Sequence, residues 1–178
     1  MPHYVRDPLP GATYFFTVNL EDRSSYLLVR QIALLRKAYS GVQARHPFAT
    51  IAICVLPDHL HAVWRLPEND ADFAGRWSLI KAAFSRELPA PAQRTSQARH
   101  GDKGIWQRRY WEHRIRDESD LARHVEYIHF NPVKHGHVRE VRDWPFSSFH
   151  RWVRRGDVPR TWGLVRAAGG GGRFGERE

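Results

Sequence analysis

Phe48-Ala49-Thr50-Ile51-Ala52-Ile53-Cys54-Val55-Leu56-Pro57-Asp58-His59-Leu60-His61-Ala62-Val63-Trp64-Arg65-Leu66 reads as strand, tight turn, strand. The first run, Phe48 to Leu56, is apolar and rich in β-branched residues. Pro57-Asp58 supplies the turn, and so short a connection makes the two strands antiparallel. Pro67 ends the second strand. Side chains at i and i+2 of a strand point the same way, so His59 and His61 share one face while Leu60 points to the other, into the core. Two imidazoles held on one rigid strand offer half of a divalent metal site. The plainer alternative is a pair of surface histidines at a strand start, and a partner motif elsewhere must decide between them.

Working outward toward the N-terminus, Ala12 to Leu20 is aromatic and β-branched and reads as another strand. Glu21 to Ser25 form a turn with helix-capping residues. Tyr26 to Ala44 then shows helical spacing in Leu27, Leu28, Ile32, Leu35 and Tyr39, and Pro47 closes the unit. On the C-terminal side, Asp70 or Asp72 caps a second helix reaching about Leu88. Phe73, Trp77, Ile80 and Phe84 make one face of it and Arg76, Lys81 and Arg86 the other. Pro89 to Gly104 reads as a loop, and Ile105 to Ile115 as a fourth strand. Asp117-Glu118-Ser119-Asp120 starts a third helix, with acidic groups where the helix dipole favours them. It runs to Lys134 or His135, with Gly136 as its C-cap.

Strand, helix, two strands, helix, strand, helix is the order of an α+β, ferredoxin-like sandwich, an antiparallel sheet with helices packed on one face. Residues 1–153 are expected to form a single domain, with a core of about 12–138 and a C-terminal appendage of 139–153. Residues 154–178 are expected to be a flexible basic, glycine-rich tail, because Arg166 to Glu178 cannot bury enough apolar surface to order itself.

A length of 178 residues allows one domain with a real core. The charge balance points outward: 28 Lys+Arg against 19 Asp+Glu give +9, which suits a polyanionic partner such as nucleic acid. Arginine greatly outnumbers lysine, as bidentate phosphate contacts favour. The one cysteine, Cys54, excludes a disulfide framework and a thiolate zinc site. No stretch has membrane-spanning length and Met1 to Pro10 lacks a signal-peptide core, so a cytoplasmic location is expected.

The third helix reads Leu121-Ala122-Arg123-His124-Val125-Glu126-Tyr127-Ile128-His129-Phe130-Asn131-Pro132-Val133. Leu121, Val125 and Ile128 are expected as its buried stripe. Tyr127 and Asn131, four apart, stack on one face offset from that stripe, where both could look toward the sheet edge. Pro132 costs a helix hydrogen bond and predicts a kink or an end there. The alternative for Tyr127 is a half-buried aromatic with its hydroxyl bonded to a neighbour.

His-Leu-His on a strand followed by Tyr-Ile-His-Phe-Asn-Pro-Val-Lys-His-Gly on a later helix resembles the single-tyrosine HUH transposases, and within them the REP-associated tyrosine transposases. The resemblance extends to Leu56–His61, to Trp106-Gln107-Arg108-Arg109-Tyr110-Trp111-Glu112-His113 and to Asp143-Trp144-Pro145-Phe146-Ser147-Ser148-Phe149. In order and spacing it covers roughly Ala12 to Trp152. The glycine-rich tail falls outside it. The resemblance implies that His59, His61 and Asn131 hold Mg²⁺ or Mn²⁺ and that Tyr127 attacks a DNA phosphate, giving a 5′-phosphotyrosine and a free 3′-hydroxyl. A phenol of ordinary pKa near 10 needs help at neutral pH, which a metal and nearby arginines would supply. The implied partner is single-stranded DNA carrying hairpins of REP-like palindromes, handled by a monomer or homodimer at the nucleoid.

Trp106, Tyr110 and Trp111 alternate with Arg108, Arg109, Arg114 and Arg116, a pattern that suits base stacking with phosphate pairing. The alternative is that the aromatics are core and the arginines a solvated face. Arg76, Lys81 and Arg86 are weaker candidates for phosphate contact. His135-Gly136-His137 is a rival metal pair, although the turn at Gly136 works against two parallel rings. Two other functions stay open at this point: a non-catalytic module of the same fold that binds structured DNA or RNA, and a metal-dependent nuclease using water instead of Tyr127.

Overall fold

A computed structural model of the chain describes residues 8–89 and 104–163. Strand β1 (Thr13–Asn19) leads through a short helix α1 (Leu27–Arg30) into α2 (Ile32–Arg45). The hairpin follows as β2 (Ala49–Val55) and β3 (His59–Arg65), then α3 (Phe73–Arg86), β4 (Trp111–Arg114) and α4 (Glu118–Lys134). A 3₁₀ turn (Val141–Asp143) and helix α5 (Phe149–Arg155) complete the described chain. All strand pairs are antiparallel, in the order β2-β3-β1-β4. That order is the ferredoxin-like one, with β1 and β3 at the centre.

The helices cover both faces of the sheet, not one. On one face Tyr14, Phe16 and Val18 of β1 and Leu60, Ala62 and Trp64 of β3 meet Leu35 and Val42 of α2 and Phe73, Trp77, Ile80 and Phe84 of α3. Trp64 and Trp77 stack there at 4.2 Å between ring centroids. On the other face Phe15, Ala52, Cys54 and Val63 meet Val125 and Ile128 of α4, with Trp144 beside them. Both central strands are therefore buried on both faces. The alternation of a half-exposed strand is missing from β1 and β3, and their near-continuous apolar character is its counterpart.

Local chemistry sets the element ends. Asp72 caps α3 by accepting from the Gly75 amide at 2.7 Å, and Asp117 caps α4 by accepting from the Asp120 amide at 2.7 Å. Helix α4 continues two residues past Pro132 and stops at Gly136, whose φ of +71° lets the amides of Gly136 and His137 return to the carbonyls of Val133 and Pro132. The single helix expected over Tyr26 to Ala44 is broken at Gln31. The fourth strand is also shorter than expected. Of Ile105 to Ile115 only four residues pair with β1, and Trp106 makes one isolated bridge to Leu20.

The outer edge of β2 is occupied by the segment after the 3₁₀ turn. The Val55 amide donates to the Phe146 carbonyl, the Ser148 amide to the Ile53 carbonyl and the Ile53 amide to Ser148 Oγ. Arg151 and the Trp152 indole then reach the carbonyls of Thr50 and Ile51. Packing extends beyond Val153, where the tail was expected to start: Trp162 lies against His129 and Phe149. The expected glycine-rich segment, Arg166 to Glu178, lies outside the described residues, as do 90–103 of the expected loop. No helix among the described residues is long and apolar enough to cross a membrane.

Candidate active site

The β1–β3 register places Thr17 opposite His61 and Asn19 opposite His59. These odd-numbered side chains point to the α4 face, while Leu60 packs in the opposite core, as the i, i+2 spacing requires. The two imidazoles meet edge to face with centroids 4.9 Å apart. Both are buried, His59 at 2 % exposure and His61 at 0 %.

Each ring is oriented through Nδ1. His59 Nδ1 donates to Asp58 Oδ1 at 2.8 Å, and His61 Nδ1 pairs with Thr17 Oγ1 at 2.9 Å. Nε2 is thus the nitrogen that each ring would present to a metal, the arrangement in which a second group fixes tautomer and direction. Burial alone would raise the Asp58 carboxyl. The hydrogen bond from His59 and the Arg23 guanidinium 2.8 Å away outweigh burial and hold it below the usual range. Asp58 is therefore an ionised acceptor for His59.

Helix α4 brings its own residues to this pair. The Tyr127 ring stands edge-on to His61 with centroids 5.2 Å apart, and also touches Phe15. Tyr127 is buried, so it faces the centre of the sheet, not its edge. The centre is where it must face, because α4 crosses β2 and β3. Two turns further on, the His135 ring stands 5.4 Å from His59. Asn131 lies midway between Tyr127 and His135 on that face and is fully buried. Two imidazole nitrogens with an amide oxygen make a donor set that suits Mg²⁺ or Mn²⁺.

Four neighbours of the site are ones the sequence reading did not assign to it. Lys134 Nζ donates to Tyr127 Oη at 3.3 Å and lies 4.8 Å from the ring centroid. Its signal was the seven-residue spacing from Tyr127, two helical turns. From the sequence Asp58 reads only as a turn residue and Thr17 only as part of a strand. The sequence pairs His135 with His137, but the structure separates their roles. His135 joins His59, while His137 stacks on Trp144 at 5.3 Å, and burial followed by the charge of His135 lowers its pKa.

The proposed DNA-contacting residues divide. Arg108, Arg109, Arg114 and Arg116 are exposed. Trp106 is 5 % exposed and packs against Phe84, so its ring belongs to the core and is not presented to a base. Tyr110 is half-buried against Phe16 and Trp77. Lys81 donates to the Gln107 carbonyl at 2.9 Å and lies over the Tyr110 ring, tying this segment to α3. Arg76 is buried and spent on Asp70, the Asp72 carbonyl and the carbonyls of His46 and Pro47. Its position beside Phe73 and Trp77 on the helix turns it inward, which removes it from the phosphate candidates. Arg86 is exposed.

A ferredoxin-like sheet with His-Leu-His on a central strand, under a helix that sets a tyrosine against the pair, defines the class: a domain of the HUH kind. Comparison with known proteins narrows it. The chain is 48 % identical over 162 residues to the REP-associated tyrosine transposase of Escherichia coli K12, covering 91 % of each chain. It is 48 % identical over 165 residues to a Haemophilus influenzae protein provisionally given the same name, covering 92 % of this chain and 94 % of that one. A solved structure of a REP-associated tyrosine transposase bound to a REP hairpin superposes with a TM-score of 0.85 at 46 % identity, covering 100 % of this chain and 99 % of that one. No family model matches the sequence. The chain belongs to the REP-associated tyrosine transposases.

Proposed function

We propose that this protein is a metal-dependent endonuclease and strand transferase for single-stranded DNA, cutting near REP-like hairpins through a phosphotyrosine at Tyr127. The observation that carries the reading is the edge-on contact of Tyr127 with His61, 5.2 Å between centroids, beside His59 on the same buried face. His59, His61 and Asn131 would hold Mg²⁺ or Mn²⁺. Asn131 is assigned because it lies between Tyr127 and His135 on α4, which touch His61 and His59 respectively. Bound there, the metal would polarise the scissile phosphate and steady the leaving 3′-oxygen.

The rest is the work of the chain. Tyr127 Oη attacks phosphorus as its proton passes to solvent, and Lys134, 3.3 Å away, stabilises the developing phenolate. The new P–O bond forms as the bond to the 3′-oxygen breaks, and that oxygen takes up a proton. The product is a 5′-phosphotyrosine and a free 3′-hydroxyl. Attack by another 3′-hydroxyl reverses the step and joins strands without a nucleotide cofactor, because the phosphodiester's bond count is conserved. Arg108, Arg109, Arg114 and Arg116 would contact phosphates from the exposed side. A hairpin substrate is supported by the relative solved with a REP hairpin. The expected catalytic domain, residues 1–153, would extend to Trp162, which packs on it, and would act at the nucleoid in the cytoplasm.

The test is incubation of the full chain with Mn²⁺ and an end-labelled hairpin carrying single-stranded flanks, followed by denaturing electrophoresis. Wild type should give a denaturant-resistant protein–DNA band. Tyr127→Phe keeps the ring but removes the attacking oxygen, so it should bind and form no adduct. Cleavage by the Phe variant would point to water as nucleophile, and cleavage by neither form to a binding module; both outcomes overturn the proposal.

A further inference from the structure

A second cluster of ligating side chains lies on the same sheet face, across the Phe15 ring from the first. His113 of β4 and Asp120 and His124 of α4 bring one ligand atom each to within 4.8 Å of one another. Asp120 and His124 are buried, whereas the His113 side chain is 22 % exposed and leaves a way in from solvent. Phe15 stands 5.5 Å from His61 and 4.8 Å from His124 between centroids, so the two clusters are distinct. We propose that His113, Asp120 and His124 form a second divalent-metal site, of the class that takes Zn²⁺, which fastens the edge strand β4 to the helix carrying Tyr127.

The local geometry is that of an oriented ligand set. His113 Nε2 is 2.8 Å from Asp120 Oδ2, and the Arg116 amide donates to the same oxygen at 3.1 Å, fixing the carboxylate plane. His124 Nδ1 donates to the Asp120 carbonyl at 2.8 Å, which makes Nε2 its basic nitrogen. The His113 ring stacks on His124 at 4.8 Å, only 15° from parallel, and on Trp111 at 5.8 Å, so one ring must turn before both can aim a lone pair at a single ion, a movement open to the partly exposed His113. Two imidazoles and a carboxylate are ligands that suit Zn²⁺, with water completing four-coordination. Tetrahedral binding would set the ligand atoms about 3.4 Å apart, parting His113 Nε2 from Asp120 Oδ2, now 2.8 Å away, and closing the widest separation, which lies within 4.8 Å. The proton now on His113 Nε2 would move to Nδ1 or leave. Arg123 Nη2, 3.2 Å from Asp120 Oδ1, competes for the carboxylate, but its side chain is 62 % exposed and can withdraw into water.

The test needs no DNA, so it is independent of the proposed reaction. Metal-free full-length His59→Ala/His61→Ala is titrated with Zn²⁺ against a chromophoric chelator, with circular dichroism to verify folding. It should retain one tight equivalent, whose dissociation constant rises at least tenfold on adding His113→Gln or Asp120→Asn. Loss of all binding in the double variant overturns the proposal. So does a retained equivalent that His113→Gln leaves unchanged, which would place the ion at His135 and His137. Should the added substitutions prevent folding, ¹⁵N spectra of the histidine rings in the double variant decide. Zn²⁺ must move the ring nitrogens of His113 and His124, and unmoved resonances there exclude the site.

Discussion

Lys134 Nζ lies 3.3 Å from Tyr127 Oη, two turns along the same helix. An ammonium at that distance favours the phenolate over the phenol, so the lysine should set the pH at which the nucleophile works. Lys134→Met keeps the length of the side chain and removes the charge. Adduct formation at neutral pH should slow, and the rising limb of its pH profile should move up by about one unit. Hairpin binding measured by gel shift serves as the control. A profile that stays in place would show that the lysine contributes only contact.

In the proposed site Thr17 would act on the metal through His61. Its hydroxyl is the partner of Nδ1, and Thr17→Val replaces it with a methyl group of similar size. Loss of such an orienting group should weaken Mn²⁺ affinity about 10- to 100-fold, with cleavage recovering at higher Mn²⁺. His59→Ala or His61→Ala should abolish cleavage at any Mn²⁺ concentration and leave hairpin binding largely intact. Titrating cleavage against Mn²⁺ distinguishes the two kinds of variant.

Arg108 and Arg109 are exposed and Arg76 is not, although all three are equally basic in the sequence. Replacing Arg108 and Arg109 with alanine should lower the slope of log affinity against log salt by about 0.7 for each phosphate contact to a single strand. Arg76→Ala should instead lower the melting temperature, because it leaves the carbonyls of His46 and Pro47 without their donor. The salt slope of that variant should match wild type.

His129 is buried against Phe149, Trp152 and Trp162, and burial lowers its pKa to about 3. The unfolded chain binds this proton near pH 6.5 and the folded chain only near 3, so stability falls as pH drops through that window. The slope approaches about 1.4 kcal/mol per pH unit for one proton. His129→Gln retains a donor for Ser148 and cannot titrate. Urea unfolding between pH 6.5 and 3 should therefore show a flatter pH dependence in this variant.

Much of the fold was legible because its signals are local. The i, i+2 histidines, the two-residue turn and the aspartate caps each act within a few residues. The side of the sheet on which α4 packs was not local, since it depends on how a crossover returns after β4. That one unknown explains why Tyr127 was expected near an edge and why His113, Asp120 and His124 were not seen as a group. Arg76 and Trp106 show the converse error. Both carry the composition of a nucleic-acid surface, yet each lies on the inner side of its element, where carbonyls and aromatic rings from distant segments receive it.

The β2 edge is closed by residues near the end of the chain, with Trp152 and Ile51 101 positions apart. On the ribosome β2 must therefore wait, its outer amides unmatched, until the Phe146–Trp152 segment has emerged. A chain ending before Phe146 would keep the proposed metal-binding histidines and Tyr127, yet expose a seven-residue strand edge that recruits other chains. Premature termination in this gene would thus yield insoluble protein and not a working nuclease fragment, although every proposed catalytic residue had been made.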